Sequence, residues 1–509
     1  GGGGSGAHSA DGAAAEAACA ACVAALKARV RAVLEANPWL AGRLVKAKGG
    51  RVKVAVPDLS HGGAEEPLES LGPHWGEAWV AWDAAALAGR GEANWEDVFA
   101  ATKGFMVGLG AACVGDPGAP LFKVTVCRSK QTDNSCILGV VVSMSHVIGD
   151  GVTFYEVSGM LSPGQGQVIS LNATRLGKVA RPPWEAWRSK RILAGCLAAT
   201  VFGAPKRTAW APVNAEWVQR LKASEEAAAS AAAAAASGEA PAGAVEVGRA
   251  AVREAGARGR EEGSSAVEVG GGSVSPVEPP AKGPVKGPAK GPAKGSALPL
   301  RVSANDVLTW ELLKRGGFDR AYMAVDLRGR IGNCALDRAN AGNYESAITI
   351  TRESCGAPRA VRATLREFER TGVDPHASAS GGAANLLSCL ASRQLFVTNW
   401  ASVTKHLDLG PGPAPGPSAA ASGSSQESLI QESSQASFRA RRLLHLPLLD
   451  PTAGQRGTAI LFQAGRPRSS SGTGDGTTGD GNTGDLALLV ADRDPEAFRR
   501  LLEAVQHGG

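Results

Sequence analysis

Residues 136–160 read CILGVVVSMSHVIGDGVTFYEVSGM, and this stretch decides the reading of the chain. Residues 136–146 form a near-continuous apolar run, which predicts a β-strand of the buried kind. The run ends on one histidine, His146, in Ser145-His146-Val147-Ile148-Gly149-Asp150-Gly151. A tight turn is expected there, with Gly149 and Gly151 permitting unusual backbone angles. Asp150 is an N-cap type of residue, so a helix is expected to start beside it. A strand end is a rigid platform for an imidazole, whose pKa sits near working pH. The bare pattern HxxxDG is weak, and an isolated strand-end histidine is by default structural. What raises it is its place between a buried strand and a helix.

Outward from this stretch, periodicity predicts a mixed α and β chain. Residues 13–47 read as a helix with Leu26, Val30, Val33 and Leu34 on one stripe, stopped by Pro38. RVKVAV (51–56) and LFKVTVCR (121–128) alternate as strands do. After residue 302 come a helix in SANDVLTWELLKRG, capped by Ser303 or Asn305, and strands in YMAVDLRGR and YESAITI. A helix in APRAVRATLREFERTG follows, then strands in QLFVTNWASV, GTAILFQAG and DLALLVAD, and a last amphipathic helix in DPEAFRRLLEAVQ.

Between these series the composition breaks. Residues 222–298 hold poly-alanine, Gly/Ser/Glu sequence and the repeat AKGPVKGPAKGPAKG (281–295), extended and solvated rather than core-forming. Similar tracts occupy 411–435 and 466–484. The expected organisation is a disordered 1–12, an N-terminal half at 13–221, a disordered linker at 222–298 and a C-terminal half at 299–509 carrying the two tracts. Each half mixes strands and helices, an α+β arrangement of two-layer sandwiches.

The whole chain has 509 residues with 66 Gly, without the three-residue period of collagen. A net charge of +6 over this length is a weak field; it permits an acidic co-substrate and does not call for nucleic acid. Nine scattered cysteines, an odd number, argue against a disulfide framework and for a reducing compartment, with Cys19 and Cys22 as ordinary helix cysteines. The opening GGGGSGAHSADG has neither a basic n-region nor an apolar h-region, and a cytoplasmic protein is expected. The longest apolar run, 192–204, is too short to span a bilayer. Trp184, Trp187, Arg188, Lys190 and Arg191 precede it and Lys206, Arg207 and Trp210 follow, so a peripheral membrane contact near 184–210 competes with a buried connecting helix. No GxSxG elbow, GxxxxGK[ST] loop or HExxH is present, and GQGQ at 164–167 lacks the third glycine of a dinucleotide fingerprint. Trp400, at a strand end, is expected in the core, and no role is expected of His376, His406 or His445.

PWLAGRL, SHVIGDG, SANDVLTW, VDLRGR, NAGN and VTNWASVTKHLDLG occur in the order found in BAHD-type acyltransferases, which the chain resembles from about Ala24 to its end, outside the linker and the two tracts. The resemblance implies the chloramphenicol-acetyltransferase-like fold, with an active-site tunnel between two halves. It implies transfer of an acyl group from acyl-CoA, a co-substrate rather than a bound cofactor, to a hydroxyl or amine. His146 takes the general-base position of HxxxDG, and no metal is required. Asp150 and Gly151 take structural positions; Asp326, Arg328 and Arg330 match the family's DxRxR, with a buried ion-pair role, and Gly342-Asn343 its GN pair. The family's DFGWG segment stands here as Asp408-Leu409-Gly410-Pro411-Gly412, with Asp408 structural and the Phe and Trp replaced. Condensation-type relatives usually carry a second histidine where Ser145 stands, which favours the BAHD branch. A monomer acting on small molecules is expected. Two alternatives stay open: a carrier-protein-dependent condensation-type domain, and an inactive binding module of the same fold.

Overall fold

The computed structural model describes residues 7–57, 72–80, 95–108, 110–116, 118–129, 138–162, 167–174, 207–237, 301–330, 336–376, 393–405, 407, 457–464, 486–492 and 494–507. In chain order they form α1 (Ala7–Ala36), β1 (Arg43–Lys46), β2 (Val52–Ala55), β3 (Trp75–Val80), α2 (Trp95–Thr102), α3 (Gly110–Gly115), β4 (Phe122–Ser129), β5 (Leu138–Met144) and α4 (Gly151–Met160). There follow β6 (Arg207–Pro212), α5 (Ala215–Ser237), α6 (Ala304–Arg315), β7 (Arg320–Asp326), β8 (Glu345–Thr351), α7 (Pro358–Thr371), β9 (Gln394–Asn399), β10 (Gly457–Gln463), β11 (Leu486–Asp492) and α8 (Pro495–His507). The class is α+β, as the periodicity predicts.

Three sheets organise these elements: β1-β2, β3-β4-β5 and the six-stranded β6-β11-β10-β9-β7-β8. The large sheet is apolar on both faces, which explains its continuous hydrophobic strands. Leu488 and Val490 of β11 and Ala459 and Leu461 of β10 join one core cluster with Leu308, Leu312 and Phe368 from the helices. Their alternate neighbours Leu489, Ile460 and Phe462 fill a second cluster with Trp210 and Trp95. The N-terminal core is a third. The stripe Leu26, Val30, Val33 and Leu34 of α1 is at most 1 % exposed and packs with Phe122, Val124 and Val126 of β4. Each such side chain contributes about 1.5–3 kcal/mol on burial. Ser303 resolves the start of α6: its hydroxyl accepts from the Asp306 backbone N–H while the Asp306 carboxylate accepts from the Ser303 N–H, a capping box.

The structure corrects several sequence expectations. Helix α1 begins at Ala7, inside the segment expected to be disordered. Helix α5 runs to Ser237, so the alanine-rich start of the expected 222–298 linker is helical, as alanine propensity favours; residues 238–298 lie outside the described residues, as do the tracts 411–435 and 466–484. The boundary at 221 also moves. Strand β6 pairs with β11, and Trp217 and Val218 of α5 pack in the C-terminal core, so this segment of the expected N-terminal half belongs to the C-terminal sheet. Trp210, at the end of the segment where a membrane contact competed with a buried connecting helix, lies in strand β6, is 7 % exposed and packs edge-on to Phe462; residues 184–206 lie outside the described residues. No described helix is long and apolar enough to cross a membrane. Strand β5 is only half-buried, with Val141 its one fully buried residue, because it forms an edge of its sheet. Cys19, expected to be an ordinary thiol, is disulfide-bonded, whereas Cys113, Cys127 and Cys355 are free.

Candidate active site

Strand β5 ends at Met144, and the next turn carries His146 before α4 begins. Asp150 caps α4: its backbone is extended, and its Oδ1 accepts the Thr153 N–H at 3.0 Å. This is an N-cap acceptor meeting one of the unsatisfied donors of a helix start. Neither Gly149 nor Gly151 has a positive φ, contrary to the expectation of unusual backbone angles. Space selects them instead. A Cβ at Gly149 would lie 2.9 Å from Cβ of Thr153 and 2.8 Å from Cε of Met144; one at Gly151 would lie 3.1 Å from the Trp400 indole nitrogen. Trp400 is therefore half-buried against this turn, edge-on to Tyr155.

Asp150 is 2 % exposed and turned away from His146, toward the other half of the molecule. Arg328 grips it with a two-pronged contact, Nη1 to Oδ2 at 2.9 Å and Nη2 to Oδ1 at 3.2 Å. The backbone N–H of Tyr344 donates to Oδ2 at 2.8 Å. Arg328, with a side chain 1 % exposed, also donates to the carbonyls of Asn340 and Gly342, to Thr153 Oγ1 and to Asp326 Oδ1. Burial opposes the Arg328 charge, but contact with Asp150, then Asp326, outweighs it and the net pKa shift is upward. The Tyr344 ring lies 5.0 Å from the guanidinium carbon. Gly342 has φ +145°, and a Cβ there would meet this ring at 2.9 Å. Its carbonyl receives the Asp150 N–H at 3.1 Å and the Thr153 hydroxyl at 2.9 Å. The turn after β5 is thus locked to the segment before β8 by buried polar contacts.

His146 stands outside this lock, with a side chain 67 % exposed. Asn343 Nδ2 donates to its Nδ1 at 3.0 Å, and Nε2 lies 3.2 Å from Glu345 Oε1. In the neutral ring this places the proton on Nε2, facing the carboxylate; in the imidazolium both nitrogens donate, and Asn343 can present its amide oxygen to Nδ1. The hydrogen bond to Glu345 raises the His146 pKa above the usual histidine value; burial opposes this, while the Glu345 charge, the residue's own carbonyl and Asp150 add to it.

Of the residues marked out in sequence, the structure brings together His146, Asp150, Gly151, Asp326, Arg328, Gly342 and Asn343. Asp326 is an outer member: its side chain is 24 % exposed, and it accepts from the Arg328 side chain and backbone N–H. Arg330 departs from the expected buried ion pair. It is 42 % exposed and 3.9 Å from Glu369, at a surface cavity of about 470 Å³ that it lines with Gly329, Arg366, Glu369 and Arg370. Asp408 lies outside the described residues. Thr153, Tyr344 and Glu345 escaped the sequence reading, although the last two directly follow the Gly342-Asn343 pair. Among the described residues no group of His, Cys, Asp and Glu could hold a metal ion.

No protein-family model matches the chain, and no curated protein matches it. Among solved structures it is similar to apo F. graminearum TRI101, at 12% identity over 94% of this chain and 89% of that one with a TM-score of 0.43. It is also similar to F. sporotrichioides TRI101 complexed with coenzyme A and T-2, at 13% identity, coverage of 95% and 90%, and a TM-score of 0.40. The first condensation domain of the CDA synthetase aligns at 11% identity, coverage of 93% and 82%, and a TM-score of 0.38.

Proposed function

We propose that the protein transfers an acyl group from an acyl-CoA to a hydroxyl or amine of a small acceptor, with His146 as general base. The observation that carries this reading is the contrast within one turn: Asp150 is buried and fixed by Arg328, while His146, four residues earlier, is presented to solvent. A histidine kept for packing would be buried; this one is mounted on an immobilised turn with its ring accessible. The acyl-CoA donor follows from the motif resemblance, with donor and acceptor reaching His146 from opposite ends of a tunnel between the halves.

The chemistry asks little of the chain. Neutral His146 accepts the proton of the acceptor as its oxygen or nitrogen attacks the thioester carbonyl. The tetrahedral intermediate collapses, and the CoA thiolate leaves and takes up a proton. Asp150 and Arg328 take no part in proton transfer; they fix the turn so that the imidazole meets both reactants in register. Asn343 and Glu345 hold the ring between turnovers.

The test is CoA-thiol release by purified protein supplied with a panel of acyl-CoAs and pooled alcohols and amines. Release that requires an acceptor and is abolished in folded His146→Ala supports the reading. Acceptor-dependent release that survives His146→Ala removes the general base. No release from any thioester would move the weight to a carrier-bound donor or a binding role.

A further inference from the structure

We propose that Glu345 selects a cationic amine as acceptor, so that the site forms amides rather than esters. This rests on the general-base reading of His146 and deepens it.

The argument starts from what occupies the base. Nε2 of His146 points at the Glu345 carboxylate, 3.2 Å away, and Nδ1 is held by Asn343. A neutral alcohol meets a ring whose two nitrogens are both engaged, one as donor to Glu345 and one as acceptor from Asn343, and it brings nothing that releases them. An alkylammonium brings the charge that the carboxylate needs. It replaces the imidazole N–H as the partner of Glu345, and the ring proton moves to Nδ1, where the carbonyl of His146 or the Asn343 amide oxygen accepts it. Nε2 then carries a free lone pair beside the ammonium.

Charge accounting points the same way. Among the described residues the site contains three carboxylates, Asp150 and Asp326 on Arg328 and Glu345 on His146, against one guanidinium, Arg328. Asp326 and Glu345 are directly opposed in the β7–β8 register, where like charges repel unless a cation lies between or beside them. Arg328 serves Asp150 and Asp326, leaving Glu345 with the imidazole alone among the described residues. Its side chain is 29 % exposed, shielded enough to matter and open enough to receive a ligand.

The step balances. The ammonium gives one proton to Nε2 of neutral His146 and becomes a nucleophilic amine. Its nitrogen bonds to the thioester carbonyl carbon, and the C–S bond breaks to release the CoA thiolate. The second nitrogen-bound proton passes to that thiolate, leaving amide and free thiol. His146 returns the first proton to solvent.

The experiment uses the full chain with acetyl-CoA and two matched acceptors, phenethylamine and 2-phenylethanol. It compares wild type, Glu345→Gln, Glu345→Asp and His146→Ala by amide and ester formation, and by calorimetric binding of phenethylamine. The expected result is amide formation favoured over ester in wild type. Glu345→Gln then lowers the amide-to-ester ratio of kcat/KM by about tenfold, the scale of one partly shielded charge pair, and Glu345→Asp restores part of it. Equal loss with both acceptors in Glu345→Gln, or preferred ester formation by wild type, overturns the inference while leaving His146 as base. Activity that survives His146→Ala overturns the underlying reading instead. Should no turnover be seen, amine binding that is unchanged in Glu345→Gln still refutes the role given to Glu345.

Discussion

Replacing Arg328 by Met should be among the most destabilising single changes in the chain, for a reason that a second substitution exposes. The guanidinium is 1 % exposed and is the only cation in contact with Asp150, itself 2 % exposed, among the described residues. In Arg328→Met the Asp150 carboxylate keeps two backbone donors, Thr153 and Tyr344, but loses its counter-charge. Removing one partner of a buried pair costs about 3–5 kcal/mol, because the other charge stays buried. Asp326 gives the internal control: it touches the same guanidinium but is 24 % exposed, so Asp326→Ala should cost about 1 kcal/mol or less. The double variant Asp150→Asn, Arg328→Met removes the stranded charge while the Asn retains the helix cap. It should recover roughly a third to a half of the loss. Urea unfolding followed by tryptophan fluorescence reads these differences as midpoint shifts at constant slope. A double variant less stable than Arg328→Met would show that the cost lies in lost hydrogen bonds and packing, not in an unpaired buried carboxylate.

Gly149→Ala should cost about 1–3 kcal/mol, since its Cβ would sit 2.9 Å from the backbone-fixed Cβ of Thr153; an unchanged melting temperature would contradict this geometry. The pH–rate profile should show an acid limb above the ordinary histidine pKa, because the hydrogen bond that His146 donates to Glu345 raises its pKa and in the proposed reaction only the neutral ring acts as base; Glu345→Gln should move the limb to lower pH. The sign for stability is opposite: the raised His146 pKa supports the fold at pH below the unfolded histidine value, and this support fades as pH rises through the raised one. Replacing residues 238–298 by a short flexible spacer should leave the folded protein and the proposed acyl transfer intact, because this Gly-, Pro- and Lys-rich sequence has no apolar periodicity to bury; loss of folded protein on replacement would refute that.

Much of the fold was legible because hydrophobic period reports burial directly. The stripe of α1 and the continuous runs of β10 and β11 mark one buried face and two, respectively. Strand β6 was not legible. Its sequence RTAWAP carries little pattern, and its partner β11 lies near the other end of the chain, so only the tertiary pairing reveals it. At the site, His146, Asp150 and Arg328 could be marked out from motif order. Glu345 could not, because a glutamate opening a strand looks like an ordinary solvent-facing residue until His146 is placed beside it. The two glycines were identified correctly but explained wrongly: sequence shows that a side chain is missing, not whether backbone angle or a neighbour's volume forbids it.

The pairing of β6 with β11 makes the two parts of the molecule strand donor and acceptor. A cut anywhere in 238–298 would leave an N-terminal fragment whose β6 supplies the outer hydrogen-bonding edge of β11, with Arg207 opposite Asp492 and Pro212 opposite Ala487. The same fragment would bring Asp150, and the other would bring Arg328 to meet it. Covalent continuity between 238 and 298 is then dispensable once the parts have met. Chains comprising 1–237 and 299–509, expressed separately, should reassemble into one molecule, and neither should hold the His146 turn in place alone.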